Sequence, residues 1–175
     1  MNKEFRFCPL CKGVLLQEWI EGRYRKYCSQ CKWVSYENPL PVAVAAAINK
    51  KGELLIARRN LEPGINKWAL PGGFIESNET SERACLRELK EETGIEGRIT
   101  GLVGVYVQKI RKYGSFLVIG YAVRISKENI FLSNEVKEVK FVNYKDIPRI
   151  PFSTHRKIIA DVFKTCGRSG DISRG

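Results

Sequence analysis

Residues 73–95 read GFIESNETSERACLRELKEETGI, and they combine a glycine, a spaced glutamate and a dense run of charged residues. The first glycine is followed after five residues by Glu79, and seven more residues lead to the run RELKEETGI at 87–95. Residues 80–93 favour a helix, because a threonine can cap its start and Gly94 can end it in the left-handed conformation. The stretch therefore predicts a turn followed by a single helix.

Three glutamates of this helix, Glu88, Glu91 and Glu92, fall within an arc of roughly 100° at helical spacing. Like charges placed in this way repel one another and destabilise an isolated helix. Mg²⁺ or Mn²⁺ would remove that repulsion, because hard dications take oxygen ligands. A solvated acidic face is the alternative explanation for such a run. The adjoining arc is apolar and can face a core: Cys85, Leu86 and Leu89.

A second pattern lies near the N-terminus, where Cys8 and Cys11 form one Cys-x-x-Cys pair and Cys28 and Cys31 form another. Sixteen residues separate the pairs. That spacing is typical of a zinc ribbon, in which four thiolates hold a tetrahedral Zn²⁺. Since cysteine fills every ligand position, the site is expected to be structural and to leave no open position for catalysis. Residues 14–27, between the pairs, alternate enough to form a hairpin.

Two disulfides are the competing interpretation of these four cysteines. The chain shows no signal peptide, and the two further cysteines, Cys85 and Cys166, suit a reducing compartment. These features favour zinc and predict a cytoplasmic protein. No apolar run approaches the length of a membrane span, so we expect no membrane partner.

The sequence predicts three segments: a zinc ribbon at 1–37, a larger domain at 38–166 and a flexible tail at 167–175. The ribbon is too short for an independent apolar core, so metal binding would supply much of its folding free energy. In the larger domain the order strand, helix, strands, helix indicates an α/β fold with a mixed sheet between helices. Ser153 is predicted to cap the last helix. The predicted strands cover 42–48, 53–59, 68–71, 97–108, 115–126 and 139–143.

The chain carries a net charge of +11 and a single histidine, His155. A basic surface would concentrate polyphosphate substrates, and it would also bind nucleic acid non-specifically. A lysine-rich proteome, such as that of a thermophile, accounts for the charge equally well. Charge alone therefore leaves the function open. His155 lies near a predicted helix start and is expected to be structural or exposed rather than catalytic.

The stretch at 73–95 resembles the Nudix box, a pattern of nine constrained positions over 23 residues, all of which are filled here. Nudix hydrolases cleave diphosphates linked to a nucleoside. The resemblance implies the Nudix fold, a mixed β-sheet sandwiched between helices, here with an N-terminal zinc ribbon. It also implies a hydrolase with catalytic Mg²⁺ or Mn²⁺ and structural Zn²⁺.

The same resemblance assigns roles to single residues. Glu88 and Glu92 would be the principal metal ligands, with the backbone carbonyl of Gly72 as a further ligand. Glu91 would share the cluster as a ligand or as the group that takes the proton from water. Homodimers are common among Nudix pyrophosphatases, so a homodimer is compatible with the resemblance.

Two more assignments concern charged residues around the cluster. Arg87 would pair with a carboxylate, most naturally that of Glu79, and so orient the cluster. A further carboxylate usually arrives from a late loop, for which Glu135 is the first candidate and Glu138 the second.

The ribbon, the linker YENPLP at 36–41 and a Nudix domain narrow the resemblance to two groups. One is the NADH pyrophosphatases, which also remove NAD caps from RNA. Their SQPWPFP motif is absent here, where residues 101–109 read GLVGVYVQK. The other group is similar to plant plastid hydrolases of FAD and ADP-ribose. This chain shares with it the pair Arg59-Asn60, the run EVKE at 135–138 and the segment PFS at 151–153.

The second group predicts hydrolysis of ADP-ribose, FAD or a related dinucleotide to AMP and a phosphorylated product. Arg59 and Trp68 are candidate substrate-binding residues, although Trp68 can equally pack at the edge of the site. An RNA-directed enzyme, decapping or deNADding, is the alternative, with the ribbon and the basic surface holding RNA. A ligand-sensing regulator is a further alternative, against which the intact box argues.

Overall fold

The computed structural model describes residues 5–168, with side chains as far as Lys164. Within this part of the chain lie two helices, a short 3₁₀ turn and strands numbered β1 to β10. The helices are α1 (Ser81–Thr93) and α2 (Ser153–Arg168), and the 3₁₀ turn is Tyr144–Asp146. The strands are β1 Leu15–Ile20, β2 Arg23–Cys28, β3 Val34–Ser35, β4 Leu40–Ile48, β5 Leu54–Arg59, β6 Trp68–Ala69, β7 Gly72–Phe74, β8 Glu96–Ile110, β9 Gly114–Lys127 and β10 Val136–Val142.

The chain separates into two compact units. The N-terminal unit runs to Pro39 and also includes Lys109–Ser115, the tip of the hairpin formed by β8 and β9. The main unit comprises Leu40–Gln108 and the chain from Phe116 onward. Inclusion of the hairpin tip was not expected from the sequence, because the tip is some seventy residues away from the ribbon along the chain.

A three-stranded sheet in the order β1-β2-β3 forms the body of the N-terminal unit. β1 and β2 pair antiparallel from Leu15↔Cys28 to Ile20↔Arg23. Glu21 and Gly22 make the connecting turn with φ of 51° and 80°, the left-handed values that tight hairpins favour. The hairpin predicted for residues 14–27 is thereby confirmed.

The sheet of the main unit is mixed, as predicted. Its order is β10-β5-β4-β9-β8, and β4 runs parallel to β9 while β10 runs antiparallel to β5. Between the named strands β4 and β5 the pairing is confined to Ile48↔Leu54 at the turn. Further along, β7 pairs with β4 and β6 pairs with β5. Beyond the turn, β4 and β5 therefore separate, and the short strands β6 and β7, which lead into the Nudix box, lie between them.

Each face of this sheet is covered by one helix. Alternate residues of β4 point to opposite faces, as the period of two in a strand requires. Ala43, Ala45 and Ala47 belong to a core that includes Leu89 of α1. Val44 and Ala46 belong to a second core on the other face, which includes Ile158, Ile159 and Val162 of α2. The Nudix architecture of a sheet between helices is thus present.

Helix α2 differs slightly from the expectation, because Ser153 is its first helical residue and not the cap before it. The amide of Arg156 donates to the carbonyl of Phe152 at 3.2 Å, so the first helical bond starts one residue earlier. The side chain of Arg156 donates to the carbonyls of Ile150 and Pro151 at 2.7 and 2.9 Å. Of the segment 167–175, α2 includes the first two positions and the rest lies outside the described residues.

Between residues 5 and 168, no helix is both long enough and apolar enough to cross a lipid bilayer.

Candidate active site

Helix α1 is built as the sequence predicted. The Thr80 hydroxyl accepts from the amide of Arg83 at 3.3 Å, and Gly94 follows the helix with φ of 72°. Cys85 and Leu89 are buried, so the apolar arc of the helix faces the core. The acidic arc is turned towards β7, where Glu88 lies against Gly73.

Arg87 connects three carboxylates of the box. Its guanidinium donates to both oxygens of Glu79 at 2.6 and 3.1 Å, to Glu88 at 2.8 Å and to Glu91 at 2.9 Å. A fifth bond runs to the carbonyl of Phe74 at 3.0 Å. The Arg87 pairing holds the pKa of Glu79 below its ordinary value. The predicted partner of Arg87 is present, and the arginine reaches further than the sequence indicated.

Glu92 is a buried carboxylate that lies outside the Arg87 hydrogen-bond network. Its exposed fraction is 7%, and its Oε2 accepts from the amide of Gly72 at 3.0 Å. Burial raises the pKa of Glu92 to about 8 against the opposing effect of that amide, and the charges of Glu88 and Glu135 act in the same direction as burial. Such a group remains ionised at neutral pH only if a cation joins it.

Glu88 lies against the start of β7. A methyl group on Gly73 would stand 2.5 Å from the Glu88 carboxyl group, so glycine leaves the space that this carboxylate occupies. Burial raises the pKa of Glu88 in spite of the Arg87 ion pair, and Glu91 and Glu135 add to the rise. Glu91, in contrast, is 60% exposed at its side chain.

A loop from β9 to β10 closes over the end of α1 and carries Glu135. The amides of Phe131 and Ser133 donate to the carbonyls of Thr93 and Glu92 at 2.9 and 3.3 Å, which satisfies the carbonyls left free at the helix end. The Glu135 carbonyl accepts from the amide of Asn60 at 2.7 Å. These bonds fix Glu135 at a position from which its charge acts on Glu88 and Glu92.

The second candidate from this region, Glu138, has other partners. Its carboxylate pairs with Lys140 at 2.9 Å and with Arg58 at 3.6 Å. Those ion pairs hold the pKa of Glu138 below its ordinary value. The geometry therefore favours Glu135 over Glu138 as the additional carboxylate of the cluster.

Arg59 lies at the end of β5 between Glu92 and the last helix. Its Nε donates to the carbonyl of Pro63 at 2.9 Å, and its guanidinium lies 5.9 Å from the ring centre of Phe152. Its charge lowers the pKa of Glu92 and also that of His155. A cation at this place is suited to a phosphate group.

His155 is a structural residue, in agreement with the sequence-based interpretation. Its Nδ1 accepts from the amide of Leu70 at 3.1 Å. Burial, assisted by Arg59, lowers the pKa of His155 to about 3, so the ring is neutral. Pro71, the residue after Leu70, accepts a hydrogen bond at its carbonyl from the amide of Ala45 at 2.9 Å. The segment before Gly72 is thus fastened to α2 and to β4.

Trp68 is half-buried in β6 and packs against the core on the α2 side. The ammonium of Lys140 lies 5.1 Å from the centre of its ring. This cation–π contact covers one part of the indole. Trp68 therefore has a packing role in the structure. Of the two candidate substrate-binding residues, it is Arg59 whose charge acts on a carboxylate of the cluster, Glu92.

The carboxylates present a donor set that fits a hard dication. Burial raises the pKa of both Glu88 and Glu92, although the Arg87 ion pair opposes the rise at Glu88, so a bound dication would favour the charged form of each carboxylate. Among the described residues, only the four N-terminal cysteines have ligand atoms that all lie within 4.8 Å of one another. The carboxylates of Glu88, Glu92 and Glu135 are not gathered as closely, so they would move towards a dication bound between them.

The four predicted cysteine ligands come together in the N-terminal unit. The Sγ atoms of Cys8 and Cys31 are 3.4 Å apart, as are those of Cys11 and Cys28. A tetrahedral zinc with Zn–S bonds of about 2.3 Å requires sulfurs about 3.8 Å apart. All four Sγ atoms lie within 4.8 Å of one another, which is compatible with that geometry. The backbone amide of Cys31 lowers the pKa of Cys28 to about 7 against the effect of burial, which favours the thiolate.

Two near-identical turns present these thiols. In the first, the Lys12 amide donates to the Cys8 carbonyl at 2.9 Å, and Lys12 has φ of 65°. In the second, the Lys32 amide donates to the Cys28 carbonyl at 2.8 Å, and Lys32 has φ of 66°. The lysine that directly follows each cysteine pair therefore occupies the left-handed position of the turn.

Several contacts of the site could not be read from the sequence. The bond from Leu70 to His155 joins residues 85 positions apart, and the Asn60 side chain donates to the Asn134 carbonyl across 74 positions. Such contacts depend on which strands become neighbours, and no local pattern encodes them. The pair Arg59-Asn60 gave the only hint, as a feature shared with related enzymes.

Comparison with known families agrees with the geometry of the site. The family model described as NUDIX domain matches residues 37–163. An ADP-ribose pyrophosphatase from Methanocaldococcus jannaschii is 34% identical over 134 residues, which cover 76% of this chain and 78% of that protein. An NAD-capped RNA hydrolase NudC from Vibrio parahaemolyticus is 29% identical over 115 residues, covering 66% of this chain but only 39% of that protein.

Solved structures show the same fold. A NUDIX hydrolase from Nitrosomonas europaea superposes with a TM-score of 0.81 over 94% of each chain, at 24% identity. The NUDIX domain of NrtR from Shewanella oneidensis, solved with ADP ribose, superposes with a TM-score of 0.65 over 75% of this chain at 21% identity. With its complete box, its mixed sheet between two helices and this family match, the chain belongs to the NUDIX family of hydrolases.

Proposed function

We propose that the protein hydrolyses the pyrophosphate bond of nucleoside-diphosphate-X substrates, with ADP-ribose, FAD or a related dinucleotide as the preferred class. The observation that carries the proposal is the pair Glu88 and Glu92, two carboxylates withdrawn from water beside Gly72 and Gly73. A dication would stabilise the charged forms of both carboxylates, and a charged pyrophosphate is the kind of substrate that such a dication serves.

Glu88, Glu92 and Glu135 would hold Mg²⁺ or Mn²⁺, with the Gly72 carbonyl and Glu91 as further ligands. When bound, the dication neutralises the phosphate oxygens and acidifies the water it holds. Arg87 keeps the carboxylates oriented through its bonds to Glu79, Glu88 and Glu91. Arg59 holds a phosphate group of the substrate through its guanidinium.

The reaction itself is an attack of water on one phosphorus. The new bond joins the water oxygen to that phosphorus, and the bond from phosphorus to the bridging oxygen breaks. The second phosphate leaves with the electron pair, while the water proton passes to a carboxylate. Glu91 is exposed enough to accept that proton and return it to solvent. AMP and a phosphorylated partner are the products.

Substrate choice rests on the relatives. The Methanocaldococcus jannaschii protein named for ADP-ribose covers most of this chain. FAD is included as a candidate substrate because of the sequence features that this chain shares with plastid hydrolases.

The test is a screen of ADP-ribose, FAD, NADH, diadenosine polyphosphates and nucleoside triphosphates with Mg²⁺ and with Mn²⁺, carried out in ¹⁸O-labelled water. We expect ADP-ribose to be among the best substrates and to give AMP and ribose 5-phosphate. One ¹⁸O atom in either phosphate identifies the phosphorus attacked. Orthophosphate from nucleoside triphosphates as the sole product would overturn the proposal.

Capped RNA is the second candidate substrate. NudC proteins at 29–30% identity are named for NAD-capped RNA, although this chain spans only 39% of the length of those from two Vibrio species. If RNA is the substrate, hydrolysis of NAD-capped RNA should fall steeply with salt while hydrolysis of free NADH should not. Equal salt dependence of the two would exclude the RNA-directed activity.

We further propose that Cys8, Cys11, Cys28 and Cys31 hold one structural Zn²⁺. Four thiolates leave no open coordination position, so this metal would support the N-terminal unit and take no part in hydrolysis.

A further inference from the structure

Positive charge is concentrated in the N-terminal unit. Its described residues include nine cations and only three carboxylates, a net charge of +6 out of +11 for the whole chain. Three of those cations belong to the hairpin tip that joins the ribbon in this unit. The cations are Arg6, Lys12, Arg23, Arg25, Lys26, Lys32, Lys109, Arg111 and Lys112, and the carboxylates are Glu18, Glu21 and Glu37.

The same unit exposes large aromatic side chains. Trp19 and Tyr24 are 60% and 69% exposed, and their ring centres lie 5.0 Å apart at an angle of 77°. Three more aromatic residues of the unit are at least 44% exposed: Phe5, Phe7 and Tyr36. A ribbon held by metal does not need these rings for its own core, so their exposure needs another explanation.

The strand register shows what surrounds the aromatic pair. Trp19 lies opposite Tyr24, and two residues along the strands Gln17 lies opposite Lys26 on the same face of the sheet. We name these four residues the aromatic face. It combines two exposed rings with an amide and with an ammonium group that also donates to the Phe5 carbonyl at 2.9 Å. The next residue of β1 on this face is Leu15, which is half-buried.

We propose that the aromatic face of the N-terminal unit binds single-stranded nucleic acid. Unpaired bases stack on exposed aromatic rings, and the sugar-phosphate backbone is attracted by surrounding lysines and arginines. Double helices hide their base faces, so the rings would serve no purpose with a duplex. The charge of the lysines, arginines and carboxylates is +6, and it is still +4 when four thiolates hold one Zn²⁺, so the unit complements the phosphates. A membrane surface also attracts cations and indoles, but it would be served by aliphatic residues in place of Gln17 and Lys26.

This binding surface goes beyond the proposed hydrolysis and does not depend on it. The surface would act on any single strand, whether or not its end is a substrate. An RNA substrate would gain from it through a second point of attachment, whereas a free dinucleotide would be unaffected.

The experiment uses the full chain with zinc and without Mg²⁺, and 15-nucleotide RNA and DNA strands with 5′-hydroxyl ends. Such strands contain no diphosphate, so they report on the surface alone. Fluorescence anisotropy measures affinity between 50 and 200 mM salt, beside a duplex RNA of equal length and anionic vesicles. We expect both single strands to bind several-fold more tightly than the duplex, with affinity falling on a log–log plot by about 0.7 per phosphate contacted.

Variants assign the binding to the aromatic face. Trp19→Ala and Tyr24→Ala should each weaken single-strand binding by about 5- to 100-fold, the range for loss of one stacked base. Trp19→Phe should restore most of the affinity. Strand binding should quench indole fluorescence in the wild type but much less in Trp19→Phe. Arg23 precedes Tyr24 in β2 and belongs to the surrounding basic charge, not to the aromatic face, so Arg23→Glu tests the electrostatic part and should weaken binding and reduce its salt dependence.

Matched controls lie in the main unit. Leu102 is 59% exposed, and Leu102→Ala should leave strand binding unchanged. Lys50→Glu with Lys51→Glu, in an exposed turn, should weaken it far less than Arg23→Glu does. Zinc content and melting temperature show that each variant is folded. Hydrolysis of ADP-ribose should be the same in all these variants, so its failure would concern only the proposed function.

Three results would overturn the inference. The first is wild-type affinity in a folded variant that lacks both rings. The second is duplex binding as tight as single-strand binding. The third is binding to vesicles of anionic lipid without binding to either strand.

Discussion

At the scale of single residues, Glu92 links the chemistry of the site to its stability. Its ordinary pKa of 4.5 rises to about 8 in the folded chain without a dication, so the native state holds this proton more tightly than the unfolded state does. The contribution of Glu92 to the free energy of unfolding is therefore fully retained below pH 4.5 and falls as pH rises to about 8. The loss amounts to a few kcal/mol, about 1.4 for each unit of pKa shift.

The predicted result is a melting temperature that Mg²⁺ raises more at pH 8 than at pH 5.5. Metal binding requires the ionised carboxylate, so its benefit grows as that proton is lost. Glu92→Gln should melt higher than the wild type at pH 8 without Mg²⁺, because an amide has no charge to bury. Calorimetry in resin-treated buffer measures this while zinc stays bound. A Mg²⁺ effect independent of pH would argue against Glu92 as a ligand.

A second prediction at this scale concerns turnover. Glu88→Gln and Glu92→Gln keep the size of the side chain but remove a charged ligand, so kcat should fall about 10³-fold or more with the fold retained. The estimate reflects several kcal/mol of charge stabilisation by the metal. Glu82→Gln, on an exposed position of the same helix, is the matched control and should retain normal turnover. Full activity in both site variants would remove α1 as the metal site.

At the scale of elements, the box helix was predictable because its determinants are local. A capping threonine, a terminating glycine and an apolar arc lie within fifteen residues, and Glu79 is only eight residues from Arg87. The insertion of β6 and β7 between β4 and β5 was not predictable, since it depends on pairing between distant strands. The same holds for Glu135, whose place is set by Asn60 and by the carbonyls at the end of α1.

His155 joins two elements, and its prediction belongs to this scale. Its pKa falls from 6.5 to about 3 on folding, so the unfolded chain binds the proton more tightly. The stabilising contribution is complete above pH 6.5 and is lost as pH falls towards 3, the reverse of the trend for Glu92. His155→Leu should cost about 1 kcal/mol at pH 7 through the unpaired Leu70 amide.

The same variant should lose less stability than the wild type between pH 7 and pH 5. Chemical denaturation at the two pH values measures the change in the free energy of unfolding for each protein. Other titrating groups contribute equally to both proteins, so they cancel when the two changes are subtracted. His155→Asn, which keeps an acceptor, should recover part of the loss at pH 7. Equal pH dependence in His155→Leu and the wild type would show that folding does not lower the pKa of the ring.

At the scale of the whole molecule, the two units draw on different sources of stability. The main unit has two apolar cores around its sheet, whereas the N-terminal unit exposes most of its large side chains and gathers four thiols. The sequence could predict this contrast, because the cysteine spacing predicts a unit held by metal and the predicted strands indicate a larger domain with its own core. Membership of the hairpin tip in the N-terminal unit could not be foreseen, since the tip carries no signal for it.

The last prediction follows from that contrast. Cys8→Ser removes one of four thiolates, so the chain should lose its roughly one equivalent of zinc. Because metal binding supplies the folding free energy of a unit with so small a core, residues up to about 39 should become sensitive to protease. The main unit should keep its secondary structure, since its cores lie around another sheet. Circular dichroism, elemental analysis and limited proteolysis measure the three effects.

Cys85→Ala is the matched control, because Cys85 is a buried thiol of the main unit outside the cluster. This variant should keep its zinc and its resistant N-terminal unit, with a modest loss of global stability. ADP-ribose turnover per folded molecule should fall much less in Cys8→Ser than in Glu92→Gln, because the ribbon metal has no open position for substrate. Zinc-free protein from a chelator-free preparation, with Cys8 and Cys31 freely labelled by a thiol reagent, would reject the zinc site itself.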